Sequence, residues 1–527
     1  MTPWGDRLAR RHGRDRHAQV IRPRPGQRRI TDDPPSAAVI GGGIAGVAAA
    51  TALAERGVRV TLYEREPHLG GRLTGWPVAL AGGRSATMSR GFHAFFRQYY
   101  NLRGLLRRTD PWLEGLTALP DYPLQHSSGL RDSFRHVPRT PPWSAIGFAA
   151  LSPTFAVRDL LSMDAPTALP LLDVRTHGVH EQLDHVSAHD FLDAIRFPPA
   201  ARALAFEVFS RSFFADPRHL SAAEMALMFH IYFLGSSEGL LFDVPRDPYP
   251  EALWNPLTAY LTGHRAEVRT SAPVHCVHPD PSGGFRVTTD GPVRRHDAVV
   301  LALDTGGLQA VVEASPQLGD AAWRARIARL RTAPPFLVSR LWLDRPVDAG
   351  RPGFLGTSGY RSLDNISVVS HWEREAASWA ADTGGSVIEL HAYALPRHAA
   401  RGIEEEHLVN QLHQVFPETG AARVVSAHHE WRADCPLFAV GGHAHRPTVR
   451  TPDPGVVMAG DLVRTDLPVA LMERAATSGF LAANALLERW GVRGQTLWTV
   501  PDHGRSTLLR ALARRFGRTP GTPAGET

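Results

Sequence analysis

Three segments of the chain combine a short apolar run with glycine or proline turns, a pattern typical of buried strands in an α/β protein. In residues 37–64, AAVI leads through GGGIAG into the helical stretch GVAAATALAERG and then into VRVTLYE. In residues 455–487, GVVMAGD leads into a helix that should begin near Pro468, because proline is favoured in a first helical turn. Between them, residues 268–305 end in the apolar run DAVVLAL. The pattern predicts strands and helices of one domain contributed by distant parts of the chain.

The first segment has the glycine spacing of a dinucleotide-binding turn. Gly41 allows a tight turn after the strand, Gly43 lets the backbone approach a pyrophosphate, and Gly46 lets helix and strand pack closely. The N-terminus of the helix adds a positive dipole that favours phosphate. Because glycine spacing alone is a weak signal, the residues that follow decide whether a nucleotide binds here.

Two further features favour a nucleotide. Glu64 ends the second strand 18 residues after Gly46, where a carboxylate accepts hydrogen bonds from a ribose diol. GGRL follows, in which Gly71 allows backbone contact and Arg72 offers its charge to a diphosphate. With these residues the segment resembles the FAD-dependent amine oxidase and carotenoid desaturase superfamily, in which the extended signature binds the ADP half of FAD.

The resemblance extends to the other two segments and implies FAD as the cofactor. It implies that Gly460 and Asp461 contact the ribityl chain and that backbone near Val274 meets the adenine. It also implies that the helix after AGD directs its N-terminus at the flavin pyrimidine. The predicted fold class is therefore α/β, a discontinuous Rossmann-like FAD-binding domain with an inserted α+β substrate-binding domain. The predicted parts are a disordered basic extension (1–33), FAD-binding parts (36–95, 256–330 and 441–490), substrate-domain parts (96–255 and 331–440) and a basic amphipathic tail (491–527).

Composition narrows the class of protein. The 527 residues are 43% apolar and 21% charged, which is typical of a soluble globular protein, and no run reaches the roughly 18 apolar residues of a membrane span. The two cysteines, Cys276 and Cys435, favour a reducing cytoplasm over a disulfide framework. All 58 basic residues are arginine, and the tails hold the positive charge: +5 in residues 1–33 and +3 in residues 501–527, which leaves −2 for the body. No nucleic-acid partner is therefore predicted.

The residues expected around the flavin argue against an amine substrate. In flavin amine oxidases the C-terminal motif usually supplies an aromatic residue and a lysine commonly reaches the flavin N5 through water. Residues 441–479 hold no Trp, Tyr or Phe, and the chain has no lysine. Residues 200–245 are instead apolar, which favours an ordinary core, with a hydrophobic substrate tunnel as the second interpretation. Their large side chains are Phe206, Phe209, Phe213, Phe214, Met225, Met228, Phe229, Tyr232 and Phe233.

Three stretches resemble a narrower group, the carotenoid ring desaturase/methylases or isorenieratene synthases. They are RGFHAFFRQYYNLRGLLRR (90–108), HIYFLGSSEGLLFDVP (230–245) and WNPLTAYL (254–261). With the FAD motifs, the similarity covers about residues 36–490. It implies that the β-ionone rings of β-carotene are converted to aromatic φ rings, giving isorenieratene, with a 1,2-methyl shift. His93 is the candidate base, because a neutral imidazole titrates in the useful range, and a structural hydrogen-bonded histidine is the alternative.

Two other functions remain open at this point. One is an acyclic carotenoid desaturase or isomerase; the other is a non-catalytic prenyl-binding escort protein of the same fold, which the intact FAD signature disfavours. No metal site is predicted, because the pairs His428/His429 and His443/His445 lack a third ligand at a recognisable spacing. The terminal electron acceptor is left open.

The C-terminal stretch RSTLLRALARRFGR suggests how an insoluble substrate is reached. Its arginines lie away from one apolar helical face, formed by Leu508, Leu509, Leu512, Ala513 and Phe516. A basic amphipathic helix can lie on an anionic membrane, and packing on its own protein is the alternative. We therefore expect a cytoplasmic protein bound peripherally to the inner face of the cell membrane.

Overall fold

The computed structural model describes residues 14–518 except 156, 177, 203 and 205–212. Its strands mostly coincide with runs of buried, often β-branched side chains. They are β1 (Gln19–Ile21), β2 (Ser36–Ile40), β3 (Arg59–Tyr63), β4 (Gly75–Ala79), β5 (Ser85–Ser89), β6 (Phe95–Phe96), β7 (Leu116–Ala118), β8 (Pro123–His126), β9 (Arg131–Ser133), β10 (Phe242–Pro245), β11 (Glu267–Arg269), β12 (Cys276–Pro279), β13 (Phe285–Thr288), β14 (Arg294–His296), β15 (Ala298–Leu301), β16 (Phe336–Leu343), β17 (Phe354–Ser358), β18 (Asn365–Val368), β19 (Ser386–Ala392), β20 (Val424–Arg432), β21 (Val456–Met458) and β22 (Leu497–Thr499).

The helices range from single turns to 19 residues. They are α1 (Ile44–Glu55), α2 (Tyr100–Leu106), α3 (Trp143–Leu151), α4 (Val157–Ser162), α5 (Ala165–Ala168), α6 (Val179–Leu183), α7 (Ala188–Ala194), α8 (Pro199–Ala201), α9 (Ala222–Phe229), α10 (Asn255–Gly263), α11 (Thr305–Glu313), α12 (Ala321–Ala328), α13 (Arg374–Thr383), α14 (Arg401–Val415), α15 (Leu471–Arg489) and α16 (Thr507–Phe516). Two π-helical turns adjoin these helices: His230–Gly235 directly follows α9, and Pro250–Trp254 directly precedes α10. Within the described residues, no helix combines the length and the apolar character needed to cross a membrane.

One sheet gathers strands from the three segments with apolar runs. It has the parallel order β11-β3-β2-β15-β21. Helix α1 is buried along 11 of its 12 residues between this sheet and α15. The two helices approach closely because Gly479 has no side chain: a Cβ there would lie 2.2 Å from the carbonyl oxygen of Ala45. Chain segments more than 400 residues apart thus share one core.

A second sheet contains the five strands of residues 331–440 and two short strands of residues 96–255. Its order is β20-β16-β19-β18-β17-β8-β9, antiparallel except where β17 meets β8. The hairpin β4–β5 packs on this sheet through Met88, which shares a core cluster with Phe336 and Val338. On the opposite face, Leu408 and Leu412 of α14 cover β16 and β19. The domain boundaries themselves stay a prediction.

The N-terminal extension differs from its expected disorder over residues 14–33. Strand β1 pairs antiparallel with β22, and the guanidinium of Arg14 lies 3.8 Å from the ring centroid of Trp498. Asp15 is buried, forms a 2.8 Å ion pair with Arg505 and accepts a hydrogen bond from the amide of Ser237. Composition suggested a solvated basic arm, but these long-range contacts with β22, Trp498, Ser237 and Arg505 hold its described part against the protein. Residues 1–13, also part of the predicted disorder, lie outside the described residues.

The C-terminal helix forms where the apolar spacing placed it. Helix α16 packs on the 3₁₀ turn Leu169–Asp173, and Asp173 binds both Arg510 and Arg514 at 3.1 and 2.9 Å. Ala513 is buried against the protein, whereas Leu508, Leu512 and Phe516 are exposed. The predicted single apolar face is therefore divided between an inward side and an outward side. Residues 519–527 of the tail lie outside the described residues.

Candidate functional site

The glycine turn between β2 and α1 is closed to side chains. Gly41 has φ of +108°, and a Cβ on it would lie 2.3 Å from the carbonyl oxygen of Ala302. A Cβ on Gly46 would lie 1.8 Å from the carbonyl oxygen of Gly41. Gly43 caps the helix in an extended conformation, and a Cβ on it would only reach van der Waals contact with the Cα of Gly71, 3.8 Å away. The turn therefore presents bare backbone and the positive end of α1 to the space in front of it.

Glu64 lies at the end of β3, facing that turn. Its carboxylate accepts hydrogen bonds from the amide of Gly42 at 2.7 Å and from the amide of Glu66 at 2.9 Å. These two bonds fix the orientation of a buried carboxylate at the mouth of the turn. A ribose diol in this space would find an acceptor held in place by the backbone.

The structure brings the two distant charged candidates into contact. Arg72 and Asp461, 389 residues apart in sequence, form a 2.5 Å ion pair. Gly71, in the short 3₁₀ turn Gly71–Leu73, lies against the glycine turn: a Cβ on it would be 3.2 Å from the Cα of Gly43. Gly460 has φ of +140° and donates its amide to Ser478 of α15. The GGRL and AGD motifs therefore border one space.

Helix α15 begins at Leu471, three residues after the expected start near Pro468. Residues 467–470 precede it as a turn whose last residue, Ala470, is extended. The first turn of the helix borders the cavity through Leu471, Met472 and Ala475. The N-terminal end of a 19-residue helix therefore faces the cavity, where its dipole favours negative charge.

A cavity of about 780 Å³ joins these elements. We call its glycine-lined part the nucleotide end; it includes Gly41, Gly43, Glu64, Gly71, Arg72, Val274, Gly460 and Asp461. Gly46 lies just behind it, inside the turn. Such a chamber of bare backbone, a fixed carboxylate, an arginine and a helix N-terminus fits a flavin dinucleotide. The assignment of single residues to parts of that cofactor stays a prediction.

The other part of the cavity, which we call the aromatic end, is lined mainly by rings. They are Phe92, Phe96, Tyr99, Tyr122, Phe214, Tyr232, Phe336, Phe354 and Tyr393. Phe92 stacks on Phe354 with ring centroids 4.3 Å apart, and Tyr122 lies 4.8 Å from Phe354. Such a wall suits an apolar, conjugated ligand, because it offers large apolar area with little side-chain entropy to lose.

The predicted aromatic segment divides between cavity and core. Phe214, Met228 and Tyr232 line the cavity, whereas Phe213, Met225, Phe229 and Phe233 pack in the surrounding core. Phe206 and Phe209 lie outside the described residues. Sequence reasoning missed Tyr122, Phe354 and Tyr393, which lie at the ends of separate strands of the second sheet: Tyr122 directly precedes β8, Phe354 begins β17 and Tyr393 directly follows β19. Their signal is weak, because single aromatic residues on strands are ordinary core residues.

His93 lies at the aromatic end of the cavity, in the loop after β5. Its Nδ1 donates to the carbonyl oxygen of Gly91 at 2.8 Å, and the hydroxyl of Tyr249 donates to the same oxygen at 2.9 Å. Burial lowers the pKa of His93 to about 4, so the imidazole is neutral near pH 7. Since Nδ1 carries the hydrogen, Nε2 holds the free lone pair. The ring is therefore positioned and unprotonated, although its pKa lies below the range near neutrality that the sequence analysis expected of it.

Another histidine cluster lies away from this cavity. Atoms of His180, Glu224 and His443 come within 4.8 Å of one another, a grouping that spacing along the sequence did not reveal. However, Arg446 and Arg474 both donate to the Glu224 carboxylate, and the two imidazole rings stack at 3.5 Å. These contacts already compensate the carboxylate, so the cluster is a buried ion-pair network. The absence of a metal stays a prediction.

Comparison with known proteins identifies similar sequences along nearly the whole chain. The model of the flavin containing amine oxidoreductase family matches residues 44–487. The carotenoid phi-ring synthase of Streptomyces griseus is 69% identical over 503 residues, which cover 95% of this chain and 97% of that protein. The carotenoid phi-ring synthase of Chlorobaculum tepidum is 28% identical over 591 residues, covering 89% and 91% of the two chains.

Solved structures agree on the fold. A putrescine oxidase triple mutant has a TM-score of 0.65 at 16% identity, with 86% of this chain and 99% of that chain covered. Cyclohexylamine oxidase from Brevibacterium oxydans has a TM-score of 0.63 at 16% identity, with 87% and 99% covered. At this identity the likeness concerns the fold alone. The predicted α/β fold class and the FAD cofactor are confirmed.

Proposed function

The chain belongs to the flavin containing amine oxidoreductase family, and from this premise we propose that it converts the β-ionone rings of β-carotene into aromatic φ rings, giving isorenieratene. The observation that carries the proposal is the similarity, along nearly the whole chain, to a carotenoid phi-ring synthase. The aromatic end of the cavity supports it, since an apolar ring fits there next to the helix N-terminus of α15.

The stoichiometry of the proposed reaction sets what the protein must do. Aromatising one β ring removes four hydrogens and moves one geminal methyl group from ring C1 to C2. When bound, FAD supplies a two-electron acceptor for hydride, so each ring needs two turnovers. The methyl shift needs no donor, because a cation created beside the quaternary carbon is relieved by migration. The side chains must hold the ring, exclude water and accept two protons.

His93 is our proposed acceptor for one of these protons. Its neutral state, its free Nε2 lone pair and its place on the cavity wall support the role. A base held by one hydrogen bond keeps its orientation while its other nitrogen remains available. His93→Gln should lower turnover about 10²-fold or more while FAD content stays unchanged. Equal turnover in the variant and the unchanged protein would return His93 to a structural role.

The pigment made in cells tests the proposal directly. The chain is expressed in cells that accumulate β-carotene and, in parallel, in cells that accumulate lycopene. We expect a product four hydrogens short for each converted ring in the first strain and unchanged lycopene in the second. Conversion of lycopene alone would establish the acyclic desaturase or isomerase instead. A colourless purified protein that leaves both pigments unchanged would favour the escort protein.

We also propose that the protein reaches its substrate at a membrane surface on the cytoplasmic side. Three helices, α3, α4 and α16, each carry exposed large apolar side chains: Trp143, Ile146, Leu151, Leu161, Leu508, Leu512 and Phe516. Leu161 is 82% exposed and Leu508 is 69% exposed, which is unusual for large apolar residues. Arg515 lies beside Phe516 and offers a charge to anionic headgroups.

Point substitutions test this surface better than deletion of residues 501–527. A deletion would also remove the ion pair of Arg505 with Asp15 and the hydrogen bond from His230 to Pro501. We expect Leu508→Asp with Phe516→Asp to weaken binding to anionic vesicles several-fold without changing FAD content. Leu130→Asp, at an exposed leucine between β8 and β9, is the matched control. Unchanged vesicle binding in the double variant would exclude α16 as the membrane contact.

A further inference from the structure

Strand β19 carries two ionisable side chains on one face, and a third follows directly after the strand. Residues 389 and 391 alternate with apolar residues, so Glu389 and His391 point the same way, and Tyr393, the first residue after β19, meets His391 through its hydroxyl. Arg340 of β16 lies directly opposite Glu389 in the antiparallel register. His391 and Tyr393 line the cavity, whereas Glu389 and Arg340 are buried behind them.

These side chains form one hydrogen-bonded chain. The Oη of Tyr393 lies 2.6 Å from Nδ1 of His391, and Nε2 of His391 lies 2.9 Å from Oε1 of Glu389. The other carboxylate oxygen of Glu389 accepts from Nε and from a terminal nitrogen of Arg340 at 3.0 and 2.8 Å. The chain therefore runs from the cavity wall to a buried, charge-compensated carboxylate.

The charges fix the direction of the hydrogen bonds. Burial alone would raise the pKa of Glu389, but the adjacent Arg340 lowers it to about 2, so the group is a carboxylate. A carboxylate only accepts, so Nε2 of His391 carries the hydrogen in its 2.9 Å contact with Glu389, which is shorter than the 3.3 Å approach of the Phe92 amide to the same nitrogen. Nδ1 is then the acceptor for the hydroxyl of Tyr393. Burial raises the pKa of Tyr393, so its phenol stays protonated at rest and donates inward to the imidazole, in the order seen where a hydroxyl, an imidazole and a carboxylate act together.

The loop after β5 places this chain beside His93. A Cβ on Gly91 would lie 2.4 Å from Cε1 of His391, and the carbonyl oxygen of the same glycine holds Nδ1 of His93. Gly91 therefore lets both imidazoles approach one stretch of cavity wall. Asn365 of β18 donates to the hydroxyl of Tyr393 at 3.1 Å and fixes its position.

We propose that Tyr393 is the second proton acceptor of this site, with His391 as its partner base and Glu389 and Arg340 as positioning residues. This inference rests on the proposed aromatisation, in which four hydrogens leave each ring as two hydrides to the flavin and two protons to the protein. Those two protons come from different ring carbons. His93 serves one carbon, and Tyr393 serves the other.

The step balances within the residues named. A ring C–H bond breaks, and its electron pair becomes a ring C=C bond at the carbon left cationic by hydride loss. The ring proton forms a new O–H bond on Tyr393 as the original phenol proton moves to Nδ1 of His391. Glu389 stabilises the resulting imidazolium. The proton returns to solvent when the product leaves.

Tyr393→Phe tests the role, because it removes only the hydroxyl. It is expressed with the unchanged chain and with Tyr360→Phe, a matched control whose hydroxyl accepts from Gln125 outside the cavity. FAD content and the melting temperature report folding. We expect Tyr393→Phe to keep both, to make the aromatic product about 10²-fold more slowly, and to accumulate pigment two hydrogens short per ring. His391→Gln should accumulate the same pigment, whereas Tyr360→Phe should match the unchanged chain.

The outcomes separate the inference from the proposed function. If the unchanged chain makes no aromatic pigment from β-carotene, the proposed function fails and this inference fails with it. If the unchanged chain makes the pigment and Tyr393→Phe makes it equally fast, the relay is overturned. A Tyr393→Phe variant that slows turnover without the intermediate pigment would also overturn it, since a structural defect slows both desaturations alike.

Discussion

The nucleotide end and the aromatic end of the cavity are built in different ways. The nucleotide end is largely backbone: its glycines are required because a Cβ at Gly41 or Gly46 would overlap a neighbouring carbonyl oxygen. The aromatic end consists of side chains that stack on one another, such as Phe92 on Phe354. Short sequence motifs encode the nucleotide end, whereas the aromatic end depends on how strands of the second sheet pair. The nucleotide end should therefore not tolerate added side-chain atoms, and the aromatic end should be sensitive to the removal of a ring.

The largest expected effect is at the nucleotide end. Gly46→Ala would place a Cβ 1.8 Å from backbone, which neither the turn nor α1 can avoid without moving. We expect a loss of about 4 kcal/mol or more in the free energy of unfolding and no retained FAD. Chemical denaturation and flavin absorbance measure both. Gly402→Ala, in α14 with open space at its Cβ position, is the control and should be neutral.

The corresponding change at the aromatic end is a truncation. Phe354→Ala removes a buried ring that contacts Phe92, Tyr122 and Phe242, and should cost about 3 kcal/mol of unfolding free energy. Pigment turnover should fall while the Kd for FAD changes less than about twofold, because the ring borders only one end of the cavity. A large loss of FAD affinity would show that the two ends are not separable.

The next largest effect is expected from the removal of a single charged side chain at the nucleotide end. Glu64→Ala and Arg72→Ala should each weaken FAD binding by about 1.5 to 3 kcal/mol, roughly 10- to 150-fold in Kd. Flavin fluorescence quenching during titration gives the Kd. Arg423→Ala, which breaks an exposed ion pair with Asp344, should leave it unchanged. Full flavin occupancy of the Glu64→Ala/Arg72→Ala double variant at micromolar FAD would contradict the assignment.

The smallest effect, when it is expressed per pH unit, concerns a buried carboxyl group behind the aromatic end. Burial raises the pKa of Glu373 from 4.5 to about 7, with Arg340 3.7 Å away. Between these values the folded state holds a proton that the unfolded state has lost, so stability falls as pH rises through this window. The slope contributed by one group is at most about 1.4 kcal/mol per pH unit. Glu373→Gln should flatten the pH dependence of unfolding between pH 5 and 7; an unaltered slope would show that another group titrates there.

The contrast explains what sequence could and could not reveal. Gly41, Glu64 and Arg72 were identifiable because their spacing follows from the geometry of a turn, a strand end and a ligand. Helix α15 was recognised, but its start at Leu471 depends on how residues 467–470 pack, which propensity does not determine. The order of residues 14–33 was missed because its cause is a partner strand, β22, at the other end of the chain.

The aromatic end could not be predicted from the sequence for a related reason. Tyr393 and Asn365 meet because β18 and β19 pair in one register. Alternation along a strand predicts which side chains share a face of the sheet, but it does not predict which residues of the neighbouring strand lie opposite them. His93 could be named only through resemblance. Its orientation toward Gly91 and the lowered pKa of its ring are properties of burial, which no local motif reports.

The close contact between α1 and α15 has a consequence for synthesis of the protein. Helix α1 is buried on nearly every side, and one side is covered by a helix that starts at residue 471. On a ribosome that adds about 5 to 20 residues per second, α1 emerges tens of seconds before its partner. During that interval an alanine-rich apolar helix has no native cover. High yields of the protein should therefore depend on fast translation, which shortens this interval, or on chaperones that bind nascent apolar segments.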